Sequence, residues 1–197
     1  MREIFLLLGS NRGDRLLLLE KARRMIRENA GTLLQSSSLY ESEPWGFRDE
    51  TWFINQALEI TTELNARELM DRLLEIEARL GRIRMLDGCG CNVPDPLTSG
   101  VLRMAGNQTS ATGYSARIID IDILFYGDKT IFTDQLMIPH PRLHVRRFTL
   151  EPMNEIVPRF IHPVLKKSIH ELLETCTDQS KVVRIPANNP ETFIPNP

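Results

Sequence analysis

Three cysteines, Cys89, Cys91 and Cys176, are all that the 197 residues contain, an odd count without framework spacing. That scarcity excludes a disulfide-stapled secreted scaffold and fits a reduced, cytoplasmic setting. Cys89-x-Cys91 has no second Cys/His pair near it, so no zinc site is expected there. An excess of charge of one sign is missing too: 24 Lys and Arg stand against 26 Asp and Glu, a formal net charge of −2. A general binder of nucleic acid or of a membrane surface would be basic, so neither partner is expected. Long apolar runs are absent. The opening MREIFLLLGS is too short for a signal peptide, and nothing reaches membrane length. Asn107-Gln108-Thr109 matches a glycosylation acceptor, which means nothing without secretion. No internal repeat is visible, and no Walker A motif GxxxxGK[ST] occurs.

What remains is an average soluble composition, 42% hydrophobic and 25% charged, in a chain long enough for one domain with a proper core. Strand and helix patterns alternate along it. REIFLLLG reads as a buried strand closed by the turn GSNRGD. From Asp14 to Asn29, Leu18, Leu19, Ala22, Met25 and Ile26 recur at helical spacing. TLLQSSSLYESEP reads as one long strand, ended by Pro44 and Gly46, and TWFINQALEITT as the next. Asn65 and Glu68 form a capping-box pattern, after which Leu69, Leu73, Ile76 and Leu80 stripe a helix ending at Gly81. RIIDIDILFYG and the short KTIFT are strands, while RRFTLEPMNEIVP and KSIHELLETC suggest short helices. The order β-α-β-β-α-β is that of a ferredoxin-like α+β fold, an antiparallel sheet with two helices on one face. Residues 85–116 break the pattern as a long inserted loop. Such a loop inside a compact domain serves as a functional lid or is an idle extension. The expected organisation is one domain over 1–175 and an extended tail over 176–197, with no room for a second catalytic domain.

RIIDIDILFYG holds an anomaly. Ile119, Ile121 and Ile123 suit a core strand, but Asp120 and Asp122 do not, because a buried carboxylate is costly unless paired or metal-bound. Strand alternation sends both acids to one face, roughly 7 Å apart along the strand. A hard cation, Mg²⁺ or Mn²⁺, would relieve their repulsion. A strand with one solvated face would show the same pattern, and the spacing alone leaves both explanations open.

FLLLGSN, LYESEPWGF, FINQAL, IEARLGRIR, RIIDIDILFYGD, IPHPRL and RRFTLEPMNEI follow one another in this order. Together they closely resemble the 6-hydroxymethyl-7,8-dihydropterin pyrophosphokinases of folate biosynthesis, from about Ile4 to about Leu173. The resemblance implies transfer of pyrophosphate from ATP to the hydroxymethyl group of the pterin, with AMP released. It implies that Asp120 and Asp122 hold two Mg²⁺ ions. Arg82, Arg84 and Arg117 would act with them in catalysis, and Glu77, Arg117, His140 and Arg146 would bind ATP. For the pterin it implies Phe53 and Phe148 as sandwiching aromatics, Asn55 as the edge-reading amide, Ser42 as a hydroxyl partner, and Pro44 and Trp45 in a loop closing the pocket. Without the resemblance, Phe53 and Phe148 read as core, Asn55 as a strand polar group, His140 as structural, and each arginine as a solvated surface residue. A monomer acting on small molecules is expected.

The pattern departs from the family in two places. The link between the GR-R arginines and the DxD strand is much longer here. Where the family carries a further arginine before that strand, Gly113 or Tyr114 stands, with Arg103 as a substitute; Pro141 replaces an aromatic after His140. Two other classes use some of the same features: a nucleic-acid module with stacking aromatics on its sheet, and a metal-dependent nucleotidyl- or glycosyltransferase with a DxD. The nucleotide product separates them from a pyrophosphokinase.

Overall fold

In the computed structural model, residues 2–47, 49–82 and 117–186 are described. Alternation along the first strand decides the architecture. β1 (Arg2–Ser10) sends Ile4, Leu6 and Leu8 to one core and Phe5 and Leu7 to another, as the two-residue period of a strand requires. It is the centre of an antiparallel sheet, with β4 (Phe53–Thr62) on one side and β5 (Asp120–Tyr126) on the other. β2 (Thr32–Ser36) and β3 (Tyr40–Ser42) both pair with β4, and β8 (Val182–Arg184) adds to β3. The order is β5-β1-β4-β3-β8, with β2 also on β4.

α1 (Arg15–Asn29) and α2 (Ala66–Arg79) cover one face, packing Leu19, Ala22, Ile26, Leu69, Leu73 and Ile76 against the strands. Both starts are capped, the second as the sequence predicts. Asp14 Oδ1 accepts the Leu17 N–H at 3.0 Å, and Asn65 and Glu68 exchange the two bonds of a capping box, satisfying amides that the first turn leaves open. Gly81, at φ +96°, ends α2 in a left-handed conformation that other residues resist. The opposite face is covered by α3 (Arg147–Ile156) and α4 (Ile169–Glu174), whose Leu150, Met153, Ile169 and Leu172 pack on Phe5, Leu7, Ala57 and Leu124. The α+β sheet with two helices on one face is therefore present, and the short C-terminal helices serve its other face.

Three expectations change. TLLQSSSLYESEP is not one strand. At Ser37 the hydroxyl oxygen accepts the Ala57 N–H at 3.0 Å, while the Ser37 N–H donates to the Ala57 carbonyl at 2.9 Å. A side chain thus takes a backbone place in the ladder, and β2 and β3 form on either side. KTIFT yields only the two-residue β6 (Ile131–Phe132), hairpinned to β7 (Met137–Ile138) outside the main sheet. The segment 176–197 contributes β8, too short to show a period; residues 187–197 lie outside the described part, as does the insert between residues 82 and 117. Among the described residues no helix is long and apolar enough to cross a membrane.

Candidate active site

The second face is only partly roofed by α3 and α4. At the start of α3, the C-terminal end of β1, the N-terminal ends of β4 and β5, and the loop after β3 enclose a cavity of about 300 Å³. Gly9 forms part of its floor; a Cβ there would stand 3.0 Å from Asn55 Oδ1 and 3.9 Å from the Phe53 ring.

One end is aromatic and amide-lined. Phe53 and Asn55 share a face of β4, beside Ser42 on β3. The Asn55 Nδ2 donates to Ser42 Oγ at 2.8 Å, and both residues are buried, which fixes the amide's orientation. Trp45 and Phe47 come from the loop after β3, with Phe47 edge-on to Phe53 at 6.2 Å between centroids. Phe148, at the start of α3, closes this end. The Arg146 guanidinium lies 4.8 Å from the Trp45 ring centre and 5.6 Å from that of Phe148, a cation over two aromatic faces. Pro44 does not line this cavity. It faces a neighbouring cleft with Asp49 and Trp52, so only the loop it belongs to reaches the site.

The other end is charged. Asp120 and Asp122 project from β5 into the cavity while Ile119, Ile121 and Ile123 enter the α1–α2 core. Asp120 pairs with Arg117 and with Arg82, and Arg82 pairs in turn with Glu77. Burial would raise the Asp120 carboxyl, but Arg117 and Arg82 outweigh it and hold the pKa below the usual carboxylate range. Asp122 has the opposite fate: burial, then the charge of Asp120, pushes it up to about 7. Two acids side by side thus differ in protonation because the arginines serve one of them. His140 donates its backbone N–H to the Leu124 carbonyl at 2.9 Å, and its Nδ1 accepts the Arg142 N–H at 3.3 Å. The ring proton therefore sits on Nε2. Burial, then the Arg146 charge, pulls its pKa down to about 4, so the ring is neutral at pH 7.

Most of the residues singled out in the sequence converge here: Ser42, Trp45, Phe53, Asn55, Arg117, Asp120, Asp122, His140, Arg146 and Phe148 line one cavity, with Arg82 behind Asp120. Glu77 does not reach it. Its side chain is 1% exposed, and Oε1 accepts the Ile121 N–H at 2.8 Å while pairing with Arg82. Its carboxylate holds Arg82 and the start of β5 in place. Arg84 lies outside the described residues, as do Arg103, Gly113, Tyr114, Cys89 and Cys91. The cavity also takes Leu7, Gly9, Glu43, Phe47, Pro141 and Arg142, which the sequence reading gave no binding role. Gly9, Glu43, Phe47 and Arg142 sit inside FLLLGSN, LYESEPWGF and IPHPRL, so position within a motif was the available signal. Leu7 shares that signal, but its apolar side chain in an apolar strand reads as core.

A paired-acid and arginine cluster that shares one cavity with an aromatic, amide-lined slot, all on a ferredoxin-like sheet, defines an enzyme of the phosphotransferase class. The chain belongs to the 7,8-dihydro-6-hydroxymethylpterin-pyrophosphokinase family, whose model matches residues 5–93 and 98–158. It is 35% identical over 153 residues to the 2-amino-4-hydroxy-6-hydroxymethyldihydropteridine pyrophosphokinase of Bacillus subtilis, covering 77% of this chain and 76% of that protein. With the Aquifex aeolicus protein of the same name it shares 33% over 171 residues, covering 87% and 90%. With the folic acid synthesis protein fol1 of Pneumocystis carinii it shares 32%, covering 89% of this chain but 20% of that much longer protein. A solved Plasmodium falciparum HPPK-DHPS chain superposes with a TM-score of 0.62 at 18% identity, over 87% of this chain and 42% of the other. That likeness shows the fold.

Proposed function

We propose that the chain transfers the pyrophosphoryl group of ATP to 6-hydroxymethyl-7,8-dihydropterin in folate biosynthesis, releasing AMP. The observation that carries this is the continuity of the two ends: the acids of β5 and the Asn55–Ser42 pair of β4 and β3 open into the same cavity. A flat bicycle with an amide-like edge suits the aromatic end, where Asn55 and Ser42 would read the edge and Phe53, Phe148 and Trp45 would hold the faces. Its hydroxymethyl oxygen would then point across β1 at Gly9 toward β5 and the triphosphate. The new bond forms between that oxygen and the β-phosphorus as the hydroxyl proton passes to solvent, and the bond from the β-phosphorus to the oxygen bridging it to the α-phosphorus breaks, that oxygen leaving on AMP.

The chain's own groups hold and orient. Arg117 and Arg82 present guanidinium forks to phosphate oxygens, a bidentate match that a point charge lacks. Arg146 joins them from the aromatic side. The Nε2–H of neutral His140 donates to a phosphate oxygen without adding charge. Positioning and charge neutralisation are most of what phosphoryl transfer requires. The donor set of Asp120 and Asp122, all oxygen and on one strand face, fits two Mg²⁺ ions, which when bound would neutralise charge on the triphosphate and the attacking oxygen. The elevated Asp122 supports this fit, since a cation would offset the burial and the Asp120 charge that push its pKa up. The reading is of a cytoplasmic monomer with no nucleic-acid or membrane partner.

Incubating the protein with ATP, Mg²⁺ and the pterin alcohol tests the proposal. AMP and the pterin diphosphate in equal amounts are expected. ADP, free pyrophosphate, or no turnover would overturn it.

A further inference from the structure

Asn11 follows Gly9 and Ser10 at the end of β1, touches neither acid, and does not line the cavity, yet it is fully buried and its whole amide is used. On one side it meets the start of the β5 segment: Oδ1 accepts the Arg117 N–H at 2.7 Å, and the Asn11 N–H donates to the Arg117 carbonyl at 3.1 Å. On the other side Nδ2 donates to the Thr51 carbonyl at 3.3 Å and to Asp49 Oδ2 at 3.4 Å. Thr51 and Asp49 belong to the segment whose earlier residues, Trp45 and Phe47, wall the aromatic end, and Asp49 is tied down by its own bonds to the Thr51 N–H and to Arg12. One side chain therefore fastens the wall of the slot to the backbone that carries Arg117.

We propose that Asn11 is a positioning residue that sets the distance between the pterin wall and the phosphate-gripping arginine. This rests on the assignment of those two ends given above. Asn suits the task because it donates to one side and accepts from the other; Asp can only accept. Asn11→Asp keeps the acceptor for the Arg117 N–H but turns a carboxylate toward the Thr51 carbonyl and the Asp49 carboxylate. It loosens one side alone.

Steady-state kinetics on the full chain separate the outcomes, with thermal melts confirming that each variant is folded at the assay temperature. Asn11→Asp should raise the KM for the pterin about tenfold, the loss of a buried hydrogen-bonded link, while the KM for ATP stays within twofold. Asn11→Ala cuts both sides and should raise both KM values and lower kcat. Asp49→Asn added to Asn11→Asp offers an N–H to the new carboxylate and should bring the pterin KM back toward the wild-type value. A structural role alone would lower melting temperatures without splitting the two KM values. Should Asn11→Asp fail to fold, Asp49→Ala breaks the same side from a partly exposed position and should show the same split. Equal rises in both KM values, or unchanged KM values in folded variants, would overturn the proposal. A wild-type protein that forms no AMP would instead sink the pyrophosphokinase reading itself.

Discussion

On β4, Ile54, Leu58 and Ile60 face the α1–α2 side, while Phe53, Asn55, Ala57 and Glu59 face the other. β1 and β5 repeat the division, with Ile4, Leu6, Leu8, Ile121 and Ile123 on the first side and Phe5, Leu7, Gly9, Asp120 and Asp122 on the second. The same strands thus carry a closed face, apolar but for Ser10 and Gln56, and an open face that is apolar only where α3 and α4 cover it. The closed face is held by burial, which is non-directional and tolerant of exact chemistry. The open face is held by specific partners: Arg117 and Arg82 on Asp120, Ser42 on Asn55, Glu77 beneath Arg82. Substitutions should therefore cost stability on one side and turnover on the other.

The sharpest break in that comparison comes from the acids. Asp120→Ala and Asp122→Ala should each lower turnover by more than about a hundredfold, since charge stabilisation by a bound metal supplies several kcal/mol. Their stabilities should diverge. Asp122→Ala removes an acid that burial and Asp120 already destabilise, so its melting temperature should hold or rise. Asp120→Ala takes a carboxylate partner from both Arg117 and Arg82 and should melt lower. Near-normal turnover of both variants at saturating Mg²⁺ would remove these acids from the mechanism. On the closed face, Leu58→Ala should cost about 3 kcal/mol in urea unfolding through lost contact and a residual cavity. Its kcat per folded molecule should stay close to wild type; a collapse of kcat at unchanged stability would show that the faces are not separable.

The closed face was largely legible in the sequence, because a period of two in strands and a 3.6-residue stripe in helices follow directly from burial. The Asn65–Glu68 capping box and the Gly81 stop were legible for the same reason: they are local chemistry. The open face was legible only in part. Asp120 and Asp122 stood out as acids in an apolar strand, and the resemblance supplied most of their neighbours. The helical spacing of Glu77 could not show that the Ile121 N–H and Arg82 would claim its carboxylate. Ser37 splitting a strand, and Asn11 joining segments 38 and 106 residues away, depend on pairings between distant parts of the chain that no local pattern encodes.

Within the open face, the aromatic and charged ends should also separate. Phe148→Ala or Phe53→Ala should weaken pterin binding by about 1 to 3 kcal/mol, the usual loss for a large aromatic contact. Affinity for ATP should change little. Calorimetry that finds ATP binding weakened and pterin binding untouched would reverse the assignment of the two ends.

The smallest effect should come from His162, on the roofed half of the open face, and it should appear only in acid. The ring is buried, edge-on to Phe125 at 5.4 Å and to His144 at 6.4 Å. Its Nδ1 accepts the N–H groups of Val164 and Leu165 at 3.2 and 3.1 Å, so that nitrogen must stay unprotonated for the turn to hold. Burial, then the neighbouring His144, lowers the pKa from the usual 6.5 to about 4. A histidine held neutral in the folded state stabilises it fully above the unfolded pKa, and the contribution fades as pH falls from 6.5 toward 4. His162→Asn offers an amide oxygen to the same two N–H groups and has no proton to take up. Thermal melts between pH 7.5 and 4 should therefore fall less steeply for His162→Asn than for the wild type, with similar melting temperatures near neutrality. Parallel slopes would show that the acid sensitivity of the fold resides in its carboxylates and not in this turn.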